Sequence, residues 1–322
     1  MRALSLLSGG LDSMLAARLI LDQGIEVTGI GFTSPFYGSD RGRRAAESLG
    51  IPFHSRDITG GMIAVLEKPR YGYGKNLNPC TDCHRLMVST AASLLGELGA
   101  SFIVSGEVLG QRPKSQTRDA LNAVAKGAAR GLLLRPLSAL LLAETVPERE
   151  GWVDRSRLLG ISGRSRKVQL ELAERYGLTG YRSPGGGCLL TESGYCRKLK
   201  ELKENEGWEE EELKLLAVGR HFRFPSGARA VSGRNREENE ELERLARPGD
   251  LLFQAVERPG SLVLLRKRGP LTARDRELAA AVCRRYSKDK DTPGLAVGCR
   301  VAGREGETIV RAGEETLSGL MI

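Results

Sequence analysis

Residues 2–32 read RALSLLSGGLDSMLAARLILDQGIEVTGIGF, and the order of their parts decides the fold. Residues 2–7 are a short apolar run. Two glycines then break it in Ser8-Gly9-Gly10-Leu11-Asp12-Ser13. The amphipathic stretch from Ser13 to Gln23 predicts a helix, which Gly24 stops. IEVTGIGF (25–32) predicts a second strand. Farther along, Arg41 to Leu49 reads as a helix and IPFHSRDI (51–58) as a third strand. Residues 101–106 (SFIVSG) and 131–138 (GLLLRPLS) read as a fourth and a fifth. Strands alternating with helices predict an α/β fold with a parallel sheet covered by helices.

The hexapeptide Ser8–Ser13 sits between the first strand and the first helix. Two glycines let the backbone turn tightly, so that successive N–H groups point at phosphate oxygens. The helix behind adds the partial positive charge of its N-terminus. Asp12 suits Mg²⁺, and Ser13 suits a donor to phosphate. A lysine of the Walker type is absent, so this is not the usual loop for γ-phosphate transfer.

Composition bounds the rest. The chain has 322 residues, a net charge of +9 and 40 % hydrophobic residues. That length predicts two domains, and the apolar content a real core. The basic balance favours a polyanionic partner, since Lys and Arg displace the counterions of a phosphate backbone. The longest apolar stretch, Leu132 to Ala143, is short and holds Arg135 and Pro136. No membrane span and no signal peptide are therefore expected, and the protein is read as soluble and cytoplasmic. With three histidines in all, a His-centred hydrolase is not expected.

Six cysteines in this length are too few for a disulfide scaffold. Cys80-Thr81-Asp82-Cys83 is a CxxC followed by His84, and Cys188 follows Pro184-Gly185-Gly186-Gly187. Three chemical readings compete. The first is a [4Fe–4S] cluster on Cys80, Cys83 and Cys188 with one iron open. The second is a cluster-free pair in which Cys83 and Cys188 alternate between thiol, persulfide and disulfide. The third is structural Zn²⁺ with His84. Buried inert cysteine is the fourth option, and it suits Cys196, Cys283 and Cys299. His84 is read as a supporting hydrogen-bond donor and not as a base.

Other segments are less specific. Residues 59–84, rich in Gly, Tyr, Pro and Asn, predict an active-site loop, with a helix from Arg85 to Leu98. Residues Trp152 to Tyr176 predict a polar, largely helical stretch. Within it Trp152, Arg155, Arg157, Arg164, Arg166 and Lys167 are candidates for contact with nucleic-acid phosphates. Acidic residues cluster at Glu204 to Glu212, and the division is expected between residues 205 and 206. The remainder reads as a smaller α+β module with β-like pieces LLFQAV and SLVLLRKR and a helix from Thr272 to Tyr286.

The hexapeptide resembles the SGGxDS pyrophosphate loop of the PP-loop ATPase superfamily, whose fold is of the adenine nucleotide alpha hydrolase type. The resemblance implies cleavage of ATP between the α and β phosphates, leaving AMP on a substrate oxygen. It places adenine near Gly31, Phe32 and Thr33. Ser105-Gly106-Glu107-Val108-Leu109-Gly110-Gln111, with Ser115-Gln116-Thr117, resembles the GExLGQ…SQT segment of the tRNA 4-thiouridine synthase core. Leu134-Arg135-Pro136-Leu137 resembles its RPL. The cysteine set resembles that of the cluster-dependent tRNA thiolases. This likeness covers residues 1–200. It does not extend to the N-terminal tRNA-binding domain or to the C-terminal rhodanese-like carrier, neither of which is expected here.

What the resemblance implies is an ATP-dependent tRNA sulfurtransferase. It would adenylate a uridine carbonyl oxygen and replace it with sulfur, giving 4-thiouridine or 2-thiouridine. The cofactors implied are ATP, Mg²⁺ and a [4Fe–4S] cluster. Asp12, Cys83 and Cys188 would be catalytic, with Arg112, Lys114 and Arg135 as candidate cations. Ser8 to Ser13, Phe32, Thr33, Gly106 and Gln111 would hold the nucleotide. The partners implied are tRNA and a sulfur donor, either sulfide or a cysteine desulfurase. A homodimer is compatible with the sequence.

The C-terminal series Val231-Ser232-Gly233-Arg234-Asn235, Glu237-Glu238-Asn239, Asp250-Leu251-Leu252-Phe253, Pro259-Gly260-Ser261 and Arg285-Tyr286-Ser287-Lys288 is similar to the NFACT-R RNA-binding module. That likeness implies RNA contact. Two rival classes are a PP-loop enzyme acting on a small molecule and a non-enzymatic RNA-binding protein.

Overall fold

A computed structural model describes the chain except residues 129–130, 182–186, 258–259, 289, 293, 314 and 316. Pro184, Gly185, Gly186 and Pro259 of the sequence motifs therefore lie outside the described residues. The chain divides into two compact units, Met1–Thr191 and Glu192–Ile322.

The first unit is an α/β layer structure. Its strands are β1 (Arg2–Leu6), β2 (Glu26–Thr33), β3 (Phe53–Asp57), β4 (Phe102–Ser105) and β5 (Leu133–Leu134). All of them pair in parallel, in the order β3-β2-β1-β4-β5. Its helices are α1 (Leu11–Leu21), α2 (Asp40–Leu49), α3 (Thr59–Glu67), α4 (Cys80–Ser93), α5 (Arg118–Ala125), α6 (Val146–Arg149) and α7 (Lys167–Arg175). The chain steps outward from β1 to β3, then returns to the other side of β1 with β4. The crevice between the carboxyl ends of β1 and β4 is thus the switch point, where such sheets bind ligands. Leu4 and Ala3 of β1 are fully buried beneath it.

Two expected boundaries move. Residues 59–84 are not one loop. Met62 and Leu66, four residues apart, are both fully buried, so Thr59–Glu67 closes into α3. Asp57 starts it by accepting from the Thr59 N–H and hydroxyl. Likewise α4 begins at Cys80 and not at Arg85. Pro79 at its N-cap costs no donor there, and Val88 and Ala91 give the helix a buried face. The CxxC therefore lies on a first helical turn.

The stretch from Trp152 to Tyr176 is also less helical than expected. A 3-10 turn at Arg155–Arg157 and helix α7 are its helical parts among the described residues. Between them the backbone runs extended. Leu159 N donates to Pro136 O, Ile161 N to Leu137 O and Gly163 N to Leu109 O.

The second unit begins with α8 (Ser193–Asn205) and α9 (Glu210–Leu216). It continues with β6 (Arg220–Arg223), β7 (Arg229–Ser232), α10 (Arg236–Leu245), β8 (Leu251–Ala255), β9 (Val263–Arg266), α11 (Ala273–Arg285), β10 (Leu295–Val301) and β11 (Glu307–Ala312). The strands pair antiparallel in the order β11-β10-β8-β9-β7-β6. Thr272 and Asp275 form a capping box that starts α11. That helix buries Leu278, Val282 and Cys283 in a core with Phe222 and Phe253.

Leu4→Ala should lower the unfolding free energy of the first unit by about 2–5 kcal/mol. Urea denaturation monitored on that unit checks this, and an unmoved midpoint would mean that β1 is not the sheet's packed centre.

Candidate nucleotide and sulfur site

The loop Ser8–Ser13 occupies the C-terminal end of β1 and the first turn of α1. Gly9 has φ of +75°, and a Cβ there would lie 2.6 Å from the Arg41 carbonyl oxygen. No side chain is tolerated on either count. Inside the turn Ser13 Oγ donates to Gly10 O at 2.8 Å, and Ser8 N donates to Ser13 Oγ at 3.3 Å. Gly10, the N-cap of α1, makes no side-chain capping bond. Ser13 N donates to Gly10 O at 3.1 Å, so Leu11 N and Asp12 N are the first-turn donors that no helical carbonyl reaches and that suit an anion.

Gly106 closes the turn from the β4 side. A Cβ at 106 would lie 2.5 Å from Ser13 N and 2.6 Å from Asp12 C. The GExLGQ segment is therefore in backbone contact with the phosphate turn. Gln111 of the same segment donates from Nε2 to Asp12 Oδ2 at 2.7 Å, and Gln169 of α7 donates to Gln111 Oε1 at 3.0 Å. The other carboxylate oxygen, Asp12 Oδ1, is buried and accepts no hydrogen bond among the described residues. Arg166 approaches it to 3.9 Å.

Gly31 makes room for protein, since a Cβ there would lie 2.6 Å from the Phe53 ring and 2.9 Å from Ser39 Cβ. Phe32 is buried, and Thr33 donates to Asp57 at 3.3 Å.

The candidate cations separate. Arg112 and Lys114 are exposed. Arg135 is buried and committed. Its Nε donates to Glu107 Oε2 at 2.9 Å and its Nη2 to Leu121 O at 2.9 Å, so it is a structural partner and not a free charge for phosphate. On the other side of Glu107, His84 Nδ1 lies 2.9 Å from Oε1. Burial alone would push the Glu107 carboxyl up, but Arg135 and His84 more than offset it and hold it at about 2. The basic run behind α6 divides in the same way. Arg155 pairs with Glu148, Arg157 donates to Asp22 O, and Arg164 and Lys167 are exposed.

Cys83 and Cys188 both act on Tyr37. Cys80 and Cys83 share the first turn of α4. Tyr37 Oη and Cys83 Sγ are 3.5 Å apart, and Asn78 Nδ2 donates to Cys80 Sγ at 3.2 Å. Leu189 N, next to Cys188, donates to Phe36 O at 3.0 Å. Burial pushes the Cys83 thiol up to about 12. The Tyr37 bond works against that rise, whereas Cys188, Cys80 and Asp82 add to it. Cys83 thus lies in the field of both other sulfurs. Among the described residues no three Cys, His, Asp or Glu side chains stand as a ready metal-holding group, and no disulfide joins the cysteines. Cys196, Cys283 and Cys299 are buried elsewhere.

Arg41, on α2, was not singled out from the sequence. Its carbonyl packs on Gly9, and its Nη1 would lie 3.0 Å from a Cβ on Gly187. It therefore spans the phosphate turn and the residue before Cys188. No local motif marks it; its place follows from the tight packing of α2 on the turn.

A parallel sheet with an uncapped helix N-terminus and a glycine turn at its switch point defines a phosphate-binding α/β unit of the PP-loop kind. Residues 219–317 match the NFACT protein RNA binding domain. The chain is 32 % identical over 145 residues to a probable tRNA sulfurtransferase of Lysinibacillus sphaericus, covering 42 % of this chain and 34 % of that protein. It is 32 % identical over 113 residues to the tRNA-specific 2-thiouridylase MnmA of Sulfurimonas denitrificans, covering 32 % and 33 %. A solved 4-thiouridine synthetase–RNA complex with bound ATP aligns at 23 % identity and a TM-score of 0.40, over 55 % of this chain and 40 % of that one. The chain matches about a third of the length of these curated relatives. It joins a PP-loop unit resembling the tRNA thiolases to an NFACT-R-like module.

Glu107 yields a pH prediction. Its folded value lies below the ordinary 4.5, so its contribution to stability is fully present above about 4.5 and is lost as pH falls toward 2. Over that window unfolding should take up about one proton through this group. Glu107→Gln should flatten the pH dependence measured by denaturant titration; an unchanged slope would mean that the pair with Arg135 does not form.

Proposed function

We propose that the chain is an ATP-dependent tRNA sulfurtransferase. It would adenylate a carbonyl oxygen of a tRNA uridine and replace that oxygen with sulfur. The observation that carries this reading is the single wall formed by the phosphate turn, Arg41 and Gly187, the residue before Cys188. The likeness to a tRNA sulfurtransferase and to MnmA supports it, as does the NFACT-R-like module for contact with RNA.

In this reading the α-phosphate is attacked at the switch point, and pyrophosphate departs into the turn of Ser8 to Ser13. The N-terminus of α1 and the exposed Arg112 and Lys114 stabilise the charge that develops. The unsatisfied Asp12 Oδ1 is an acceptor suited to Mg²⁺, which when bound neutralises phosphate charge. Gln111 fixes the other oxygen of Asp12. Phe32 and Thr33 border the nucleotide on the β2 side.

Sulfur arrives from the cysteine side. Three thiols make a soft donor set, which fits a thiophilic group such as [4Fe–4S], and the neighbouring Asp82 carboxylate already accepts from Tyr71 N at 2.9 Å. Cys80, Cys83 and Cys188 would hold it as thiolates, and it would supply a coordination position for sulfide. Tyr37 and Asn78 donate to the sulfurs and orient them. A second reading keeps Cys83 and Cys188 as a cluster-free persulfide and disulfide pair. The electrostatic coupling of these two sulfurs, with Tyr37 beside them, favours it.

The test is to purify the full chain without oxygen, record its iron content and visible spectrum, and supply unmodified tRNA, Mg-ATP and sulfide. Nucleoside analysis should show a thiolated uridine. Iron-free protein that is active with a persulfide sulfur donor, whose outer sulfur is already at the sulfane level, but inactive with sulfide alone would select the persulfide pair. ATP turnover that ignores tRNA would point to a small-molecule substrate. Cys83→Ala and Cys188→Ala should each abolish thiolation while tRNA-dependent pyrophosphate release persists; retained thiolation would remove that cysteine from the site.

A further inference from the structure

The stretch between α3 and α4, residues 68–79, is tied to every segment that carries Cys80, Cys83 or Cys188. Tyr71 N donates to Asp82 Oδ2 at 2.9 Å, and Asp82 lies between Cys80 and Cys83 in the chain. Asn78 Nδ2 donates to Cys80 Sγ at 3.2 Å. Asn76 Nδ2 donates to Thr191 O at 2.6 Å, and Thr191 in turn donates its N–H and its hydroxyl to Cys188 O. Gly74 N closes the loop on Asn78 O at 2.9 Å. The loop is thus pinned to the sulfur side at three separate points.

Its exposed side chains are of another kind. Arg70-Tyr71-Gly72-Tyr73-Gly74-Lys75 interleaves rings and cations with glycines, and Arg70, Tyr71, Tyr73 and Lys75 are all exposed. With Lys68 they set three exposed cations against one carboxylate, Glu67, over residues 67–79. The Tyr73 hydroxyl donates to Leu66 O, which latches that side chain to α3. The Tyr71 hydroxyl bonds to no described residue. Its ring is 41 % exposed, and the Arg70 guanidinium lies 5.8 Å from the ring centroid. An open aromatic face among cations is what an unstacked base and its flanking phosphates require.

We propose that Tyr71 is the platform on which the target uridine stacks once it has left its neighbours, and that Arg70 and Lys75 take the phosphates beside it. The proposal rests on the reading of the chain as a tRNA thiolase. Chemistry at a base carbon requires the base out of its stack, and an extruded base has lost the stacking of its neighbours. The Tyr71 ring returns part of that loss. Because the loop is fastened to the segments of all three cysteines, the bonds that place those segments also place the platform. Every base has a π-face, so Tyr71 holds the base without selecting it.

Pyrophosphate release with unmodified tRNA and Mg-ATP, measured before any sulfur source is added, reads the encounter. Tyr71→Ala should raise the KM for tRNA about ten- to a hundredfold, with the KM for ATP unchanged. Tyr71→Phe keeps the ring and should behave as wild type. Tyr71→Trp keeps a stacking face and adds a fluorophore. Its emission should be quenched by tRNA beyond any change seen in the wild-type protein. An unchanged KM for tRNA in Tyr71→Ala overturns the proposal, as does a Tyr71→Phe variant as impaired as the Ala one. A loss seen only when a protein sulfur donor replaces sulfide, with the KM for tRNA unmoved, makes the loop a protein-docking surface and also overturns it. If the wild-type chain itself releases no pyrophosphate with tRNA, the thiolase reading fails and the platform with it.

Discussion

The backbone at Gly106 and the backbone at Asp12 and Ser13 occupy neighbouring space that no side chain could share. A Cβ at 106 would stand 2.5 Å from Ser13 N. That contact sets the distance between the ends of β1 and β4, and so fixes the width of the crevice at the switch point. Gly9 does the same on the opposite side, where Arg41 of α2 lies on the turn. A turn gripped from two directions is preorganised: its N–H groups need not be collected when an anion arrives, which is where such a site gains its advantage over water. The neighbours of these contacts then inherit their positions. Gln111 reaches Asp12 and Glu107 reaches His84 because both follow Gly106 in the chain.

Electrostatics divides the site in two. The glycine turn takes positive partial charge from the N-terminus of α1, whereas the surroundings of Cys83 disfavour an anion. Cys83 is buried among two other sulfurs and Asp82, and its thiol is raised to about 12. Such a thiol is a poor nucleophile by itself. Tyr37 eases that penalty by one hydrogen bond, and a soft cation or a covalent sulfur relieves it outright. Either sulfur reading uses that property.

Much of this was legible in the sequence because the signals were local. The glycine turn, the strand on each side of it and the helix after it are adjacent in the chain, so 2–32 announces the parallel sheet. The cap residues of α11, Thr272 and Tyr286, were read at their places for the same reason. The boundary at Cys80 was misread because Gly, Tyr and Asn upstream look like loop, while the buried face of α4 depends on Val88 and Ala91 packing from a distance. Arg135 looked like a phosphate cation because a sequence shows charge and not commitment. Its pairing with Glu107 spans 28 positions and no periodicity encodes it. Arg41 carried no signal at all, since its role is a backbone contact.

The second unit shows how a motif can be recognised for one reason and exist for another. In Val231-Ser232-Gly233-Arg234-Asn235 the Asn235 side chain caps α10 by accepting from Glu238 N, and Arg234 pairs with Glu238. Asn239 accepts from Leu262 N and donates to Gly260 O, stitching the start of α10 to the approach of β9. Gly233 is required because a Cβ there would lie 2.2 Å from Asn239 Oδ1. Below them Arg229 and Arg266 are buried against Glu212 and Asp250, a network in which removing one partner strands a charge. The residues that make this module recognisable are thus largely those that hold its corners. Contacts to a nucleic-acid backbone, by contrast, tolerate exchange of individual residues, because phosphate asks for charge and not for one side chain. That is why the fold of the module is written in specific residues that a likeness can read.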